Sequence, residues 1–579
     1  MSKKNPVFHL GLTMAGAVSA GAYTAGFIDY LLEALDNWEE AKEKNKNASS
    51  KDEKDLAIPM HDVVIDAIGG ASAGGMVGMI TALSFLTKAR KPVRAPLYQK
   101  TGNILYDSWV FLDDDLNKTG KSKTTFEKML ATDDLSRDQG APSLMNSKPI
   151  DRIAEEIFDI LPPNSGTHNI PKYVSEDLRI LLTITSLRPL DYKVNFSRIK
   201  SKFLDTTPGH RISNHDIVGH YKIKYDEELD NQHYLHFNPL DPQCKAALIK
   251  ATKATGAFPI GLAPRYFDDE FSSKYIETSL KRRKAFTTEM DIDFEVNDTN
   301  FAFTGVDGGT INNEPFDEVI RCLVDNHGKH DPNDPRYGTI MIDPFPNFED
   351  RTETDDNHFQ KSLLDVIGKL IPTILNQARN KRSDTYGVGL FKLLAFPIKW
   401  KDNGKYNIEN PLATGGLGGF GGFLDIEFRI HDFFLGRDNA RNFLRGFLFL
   451  EYDEDNPSYL FKDLTKEAVT SFSRKIKDKD TGEVKVYMPI IPDLSKLTED
   501  TNPYKYTVKE FPKFKREVFK KLEKPIRKRI KAILKAEIRQ RVDGWLLRSV
   551  MGIINNFLSK RLTKWVMKVI EKDFTDRNM

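Results

Sequence analysis

Gly70-Ala71-Ser72-Ala73-Gly74 is the stretch of this 579-residue chain whose residue types and spacing speak most directly of chemistry. A serine flanked only by small residues, between the β-branched run Val63–Ile68 and a long apolar run, suits a sharp strand-to-helix turn that exposes its hydroxyl. Such a hydroxyl becomes a nucleophile when a base takes its proton. His327, His330, His358 and His431 lie late enough for a Ser-Asp-His order, but none has a distinctive context; the first two sit in the polar stretch NHGKHDPNDP. A carboxylate has stronger local logic. In FAFTGVDGGTINNEP, Phe301 to Pro315, an apolar strand ends in Asp307, and Gly308-Gly309 allow another segment to come close.

A third stretch, MAGAVSAGAYTAG from Met14 to Gly26, admits two readings. Two lysines, an apolar run and small residues could form a secretory signal peptide, or the glycines and alanines could form a retained loop that completes a site with Ser72. His9 interrupts the apolar run, and the stretch passes without a break into an amphipathic pattern at Phe27, Tyr30, Leu31 and Leu35. The retained loop is the better reading, so no signal peptide is expected.

Together these three segments resemble the patatin-like phospholipase family, over roughly the first 350 residues. The pattern D-G-G-x-x-x-N-x-P is met by Asp307, Gly308, Gly309, Asn313 and Pro315. The family's G-G-G-x-R-G aligns with Gly16-Ala17-Val18-Ser19-Ala20-Gly21, which keeps the outer glycines and has Ala20 in place of the arginine. The resemblance implies Ser72 as nucleophile and Asp307 as general base, without a histidine. It implies an oxyanion hole at Gly16, Ala17 and Val18, with Gly21, Gly70, Gly74, Gly308 and Gly309 as supporting glycines. The activity implied is that of a serine acyl hydrolase, of phospholipase A or lysophospholipase type, cleaving lipid acyl esters through an acyl-enzyme with no cofactor and no metal. The altered loop keeps a second reading open, a patatin-fold scaffold that binds lipid or a partner without turnover. Gly416 to Leu444 is similar to a segment of large bacterial patatin-like proteins, and a structural role is expected for His431, Asp432 and Arg437.

The elements that must position these residues alternate strand and helix. Strands are expected at Phe8–Thr13, Val63–Ile68, Ile180–Thr185, Phe301–Val306 and Thr339–Ile342, with a helix over Tyr23–Trp38 and a solvated loop over Asn37–Leu56. The alternation argues for an α/β fold with helices on both faces of the sheet, and the resemblance specifies a patatin-like three-layer α/β/α domain. That domain is expected over 1–347, with an insertion or cap at about 88–147. A mainly helical extension over 348–504 carries a Gly-rich loop at 413–423, and a basic amphipathic helical tail occupies 505–579. Ala67–Leu86 is uncharged for 20 residues, yet its early glycines after VVID favour a buried strand, turn and helix over a membrane span.

Composition bounds the rest. At 40% hydrophobic, 29% charged and a mean hydropathy of −0.46, the chain reads as globular and not as disordered or integral to a membrane. Cys244 and Cys322 are too few for a disulfide framework or a thiolate zinc cluster, which fits a cytoplasmic setting. Residues 505–579 hold 22 Lys+Arg against 8 Asp+Glu, a net of +14 in a chain of net +2. Solvated helix faces explain such a tail, as does peripheral binding to an anionic membrane through Trp545, Phe557 and Trp565. Nucleic acid is disfavoured, since no reading motif accompanies the charge. Asp113–Gly120 and His233-x-x-His236 lack the ligand pattern of a metal site.

Overall fold

The structure, a computed structural model, describes residues 5–579 apart from 51–53, 88–89, 116–122, 137–138, 162–164, 196–208, 285–290, 297, 330, 332–333, 347–390, 401–405, 408–409, 478–481, 498–505, 542–544 and 578. His330, His358 and the boundary expected near Asn347 therefore lie outside the described residues.

In chain order the main elements are β1 (Val7–Met14), α1 (Gly21–Asn47), β2 (Asp62–Gly70), α2 (Ser72–Ser84), α3 (Lys148–Asp159), β3 (Val174–Asn195), β4 (Gly209–Lys222) and α4 (Pro242–Thr255). There follow β5 (Arg265–Phe267), β6 (Phe303–Asp307), α5 (Phe316–His327), β7 (Tyr337–Ile342), β8 (Phe391–Ala395) and α6 (Ile426–Gly446). The chain ends with β9 (Phe449–Glu451), β10 (Arg474–Lys477), β11 (Val484–Pro489), α7 (Glu523–Arg541) and α8 (Trp545–Asp576).

The central sheet runs β8-β7-β1-β2-β3-β4. Its first four pairings are parallel, β4 is antiparallel to β3, and the two-residue strand Leu235–His236 pairs parallel with β4 beyond it. Successive residues of a strand point to opposite faces. In β2 a Cβ at Gly69 would meet Val319 of α5, whereas its neighbour Ile68 meets Gly78 of α2. Helices thus cover both faces, the three-layer arrangement expected. β8 extends this sheet with residues beyond the expected end of the core domain, a pairing that no local pattern announces.

The end of α1 differs from expectation. The Lys/Glu/Asn-rich stretch after Asn37 continues the helix to Asn47, because three of its residues face inward. Trp38 Nε1 donates to Pro59 O at 2.8 Å, Lys42 Nζ reaches Asp62 at 2.7 Å, and Asn45 Nδ2 donates to Asp55 O at 2.8 Å. These partners lie around the start of β2, so long-range pairing overrides the polar composition.

The C-terminal third is joined to the sheet domain by buried contacts. Helix α6 crosses α1 so closely that a Cβ at Gly26 would sit 1.8 Å from Phe433 O, and one at Gly436 2.1 Å from Tyr23 O. Arg437 of α6 pairs with Asp29 and Glu33 of α1. In α7, Arg529 is one of the tail's many cations, for which solvated helix faces are one reading, but it is buried. Its guanidinium bridges Asp134, Ala131 O, Ser143 O and Leu144 O, so the tail clamps the inserted segment. In α8, Phe557 and Trp565 are exposed, as expected. The side chain of Trp545 lies outside the described residues. No helix is long and apolar enough to cross a membrane among the described residues.

His61, just before β2, donates from Nε2 to Ile490 O at 2.8 Å, beside Trp38 and Phe461. Burial is the main cause that lowers its pKa from 6.5 to about 4. The folded state therefore holds this ring neutral while the unfolded chain protonates it, so its contribution is present above pH 6.5 and is lost as the pH falls towards 4. Thermal unfolding followed by circular dichroism should show stability falling across that window, by up to about 3 kcal/mol from His61. A His61→Gln variant should show a shallower pH dependence.

Candidate active site

β1 and β2 are parallel neighbours, and each ends in a turn at the same edge of the sheet: Met14 pairs with Gly70. The two turns then pass in backbone contact. A Cβ at Gly74 would lie 2.3 Å from Met14 O, and one at Gly70 would lie 2.5 Å from the backbone of Gly74. No side chain fits between them, so the elbow needs glycine at both positions. Ser72 itself takes the left-handed conformation, with φ of 52°, at the first residue of α2. Its N–H donates to Thr255 Oγ1 at 3.0 Å.

Asp307 arrives from the other direction. β3 pairs with β2 as far as Leu182, opposite Gly70, and continues past the sheet edge, where β6 returns antiparallel with Asp307 opposite Ile184. This register brings the carboxylate level with the elbow. Ser72 Oγ donates to Asp307 Oδ2 at 2.6 Å, and Gly309 N–H donates to Oδ1 at 2.7 Å. Both residues are buried, Ser72 at 6% exposure and Asp307 at 4%. Gly308 is needed for approach, since a Cβ there would lie 2.2 Å from Thr183 O. Behind the turn, Asn312 Nδ2 reaches Glu318 Oε1 at 3.2 Å, and Asp216 is paired with Arg283 at 2.8 Å.

The loop after β1 faces Ser72. Gly16 N–H donates to Asn313 O at 3.3 Å, and a Cβ there would meet Asn313 Oδ1 at 2.4 Å and Ser72 Cβ at 2.9 Å. Gly16 thus brings the loop after β1 against the Asp307–Pro315 turn. Neither Ala17 N–H nor Val18 N–H meets an acceptor among the described residues. Val18 has φ of 49°, a conformation costly for a β-branched residue. Gly21 starts α1 under the Trp109 ring, 2.4 Å from where its Cβ would be.

A cleft of about 560 Å³ opens at Ser72, lined chiefly by Met76, Ile80, Trp109, Ile153, Phe258 and Phe423. The inserted segment supplies one wall through Ser108–Leu112, and α3 supplies Ile150, Ile153 and Ile157. This predominantly apolar lining suits a hydrocarbon chain.

The late histidines lie away from the dyad. His327 sits at the far end of α5 beside Asp66, and His431 Nδ1 is 2.8 Å from Asp432 Oδ1 under the 413–414 turn. Among the described residues, His9, Asp66 and His327 form the one group of three metal-ligating side chains, at the opposite end of the sheet.

Sequence reasoning missed the parts that brace the site. Thr255, at the end of α4, fixes the elbow nitrogen. The Gly-rich loop packs on the loop after β1: Ser19 Oγ donates to Gly419 O, and Gly422 N–H donates to Ser19 Oγ at 3.0 Å. Arg429, fully buried in α6, donates to Gly422 O and, at 2.6 Å, to Val110 O in the cleft wall, and pairs with Asp114. A buried arginine leaves no local sequence signal. The glycines of 415–422 were visible, but nothing in their spacing told where they pack.

Comparison with known proteins bears on this geometry. A patatin-like phospholipase family model matches residues 12–320, just over half of the chain and inclusive of Ser72 and Asp307. An uncharacterized protein of Sinorhizobium fredii, y4iI, is 28% identical over 539 residues, covering 84% of this chain and 71% of its own length. The crystal structure of VipD from Legionella pneumophila aligns over 99% of this chain and 88% of that one, at 11% identity and a TM-score of 0.18. That score is too low for the likeness to bear on the fold.

The brace can be tested by filling it. A Cβ at Gly422 would lie 2.5 Å from Ser19 Oγ and 2.8 Å from Thr414 Cγ2. Gly422→Ala should therefore displace the loop beside Val18 and slow labelling of Ser72 by a serine-directed fluorophosphonate about 10- to 100-fold, with an unchanged circular-dichroism spectrum. A labelling rate equal to wild type would show that the loop does not position the site.

Proposed function

The chain belongs to the patatin-like phospholipase family, and from that premise we propose that it is a serine acyl hydrolase acting on lipid acyl esters through Ser72 and Asp307. The observation that carries the reading is the 2.6 Å hydrogen bond from Ser72 Oγ to Asp307 Oδ2 at the head of an apolar cleft. Asp307 takes the hydroxyl proton as Ser72 attacks the acyl carbonyl, and returns it to the departing alcohol. Water then attacks the acyl-enzyme with Asp307 again as base. One carboxylate serves both half-reactions, held in orientation by Gly309 N–H on its other oxygen.

Charge on the carbonyl oxygen is met by N–H groups whose hydrogens are not otherwise engaged. Ala17 and Val18 offer two, and the first turn of α2 behind Ser72 offers another at Ala73, where the helix dipole also favours negative charge. The missing family glycines and arginine do not remove these donors, because they belong to the backbone. This favours turnover over the scaffold reading. The acyl chain occupies the cleft, where burial of each methylene contributes about 0.8 kcal/mol.

A membrane supplies such substrates, and α8 presents a surface suited to one. Phe557 and Trp565 are exposed, Arg561 lies 5.5 Å from the Phe557 ring centre, and Lys560, Lys564 and Lys568 are exposed on the same helix. This reading makes the tail a peripheral contact with anionic lipid.

Two measurements test these statements. Ser72→Ala and Asp307→Asn should each lower hydrolysis of phospholipid vesicles or a short acyl ester by about 1,000-fold or more, while unfolding at the wild-type temperature. Activity near wild type in either variant would sink the dyad. In flotation with anionic vesicles, Trp565→Ser combined with Lys564→Glu should reduce recovery in the lipid fraction; equal recovery would remove the membrane role of α8.

A further inference from the structure

At the end of the sheet opposite Ser72, three segments far apart in sequence bring two imidazoles and a carboxylate together. His9 is the third residue of β1, Asp66 lies midway along β2, and His327 is the last residue of α5. His9 Nδ1 is 3.0 Å from Asp66 Oδ2, and His327 Nε2 contacts the same oxygen. One ligand atom from each of the three lies within 4.8 Å of the others.

Three features single this cluster out. The first is the backbone. In the ladder of β2 with β1, Leu10 pairs with Ile65 and its neighbour Gly11 with Ala67, so Asp66 is the extra residue of a bulge against β1. A bulge is a device that re-aims a side chain, and here it accompanies a carboxylate, 3% exposed, in an otherwise apolar stretch of strand. The second is the pair of rings, stacked with centroids 3.7 Å apart and 27° between planes. The third is His9 Nδ1, a buried atom that makes no hydrogen bond of good geometry although it points towards Asp66.

Two imidazole nitrogens and one carboxylate oxygen, without thiolate, form a donor set for first-row divalent transition metals. The ring side chains are 25% and 22% exposed, which gives an ion a path in and leaves room for water as a further ligand. Tyr337, the nearest other polar side chain in ring contact, is occupied elsewhere: its hydroxyl donates to Gly328 O at 2.9 Å.

We propose that His9 Nδ1, Asp66 Oδ2 and His327 Nε2 bind one divalent transition-metal ion of zinc type, which clamps β1, β2 and the end of α5 together. The ion is structural. Helix α5 begins just after the Asp307 turn and runs 12 residues, about 18 Å, before it reaches His327. The clamp therefore fixes the far ends of the elements whose near ends carry Ser72, Asp307 and the loop after β1. It takes no part in the proposed hydrolysis and does not depend on that reading.

The test uses the full-length, tag-free chain, stripped with chelator and titrated with Zn2+ by calorimetry and with Co2+ by its visible absorption. The expected result is one ion per chain, with a cobalt spectrum of mixed nitrogen and oxygen ligation, and a rise in Tm of roughly 2–4 °C on Zn2+ addition. His327→Ala and Asp66→Asn should each weaken binding by more than the roughly 10- to 100-fold seen for loss of an outer hydrogen bond, and abolish the Tm response. Because Asp66 is buried and its variant could misfold, His327→Gln, at a part-exposed helix end, is the second variant, checked by circular dichroism. Ser72→Ala should bind metal as wild type does. Absence of stoichiometric uptake, or uptake that persists in the folded His327 variants, would overturn the proposal and leave the cluster as a hydrogen-bonded His-Asp-His group.

Discussion

The approach of two stretches of backbone governs this molecule. Residues 14–16, leaving β1, and residues 70–75, leaving β2, pass so closely that a Cβ at Gly74 would overlap Met14 O and one at Gly16 would overlap Ser72 Cβ. Ala71 N–H donates to Met14 O at 3.3 Å across this contact. From it follow the left-handed Ser72 at the start of α2 and the loop that faces it. The strain of a non-glycine residue in that conformation is of the order of 1 kcal/mol, and it persists because Thr255 and the Asp307 turn hold both sides of the serine.

A second constraint is that the site does not belong to the first 350 residues alone. Arg429 sits fully buried among the Gly-rich loop, the cleft wall and Asp114, and Arg529 sits among carbonyls of the inserted segment. A buried guanidinium is expensive unless nearly every donor is met; Arg529 meets its partners hundreds of residues away, and Arg429 joins the nearby Gly422 O to the distant Val110 O and Asp114. The insertion, the Gly-rich loop and the tail are in this way held as one shell around the cleft. The segment 416–444 acquires a physical role: it packs against the loop after β1 through Ser19, Gly419 and Gly422.

Ionisable groups buried elsewhere follow the same logic at larger scale. Lys42 of α1 reaches the start of β2, His61 precedes it and Asp66 lies at its middle, and each is met by a partner from another element: Asp62, Ile490 and the two histidines. The sheet edge far from Ser72 is thus polar and cross-linked, and the near edge is apolar and open. That asymmetry leaves the near end free to accept a hydrophobic ligand while the far end holds the strands in register.

Much of the fold was legible locally. Short β-branched and apolar runs marked β1, β2, the middle of β3, β6 and β7, and Gly70–Gly74 and Asp307–Pro315 marked the turns, because backbone crowding restricts residue type at a turn whatever surrounds it. The length of α1 was not legible, since Lys42 and Asn45 look solvated until Asp62 and Asp55 are folded against them. Nor was β8, whose parallel pairing carries no local signature, nor the burial of Arg529. The sequence by itself determined which residues could be nucleophile, base and loop, through small residues at fixed spacing. Only the tertiary structure decided that Ser72 and Asp307 meet at 2.6 Å, that Thr255, Ser19 and Arg429 brace them, and that His9, Asp66 and His327 converge. The physical reason is that turn sterics act over a few residues, whereas the partner of a buried polar group is chosen by packing across the whole chain.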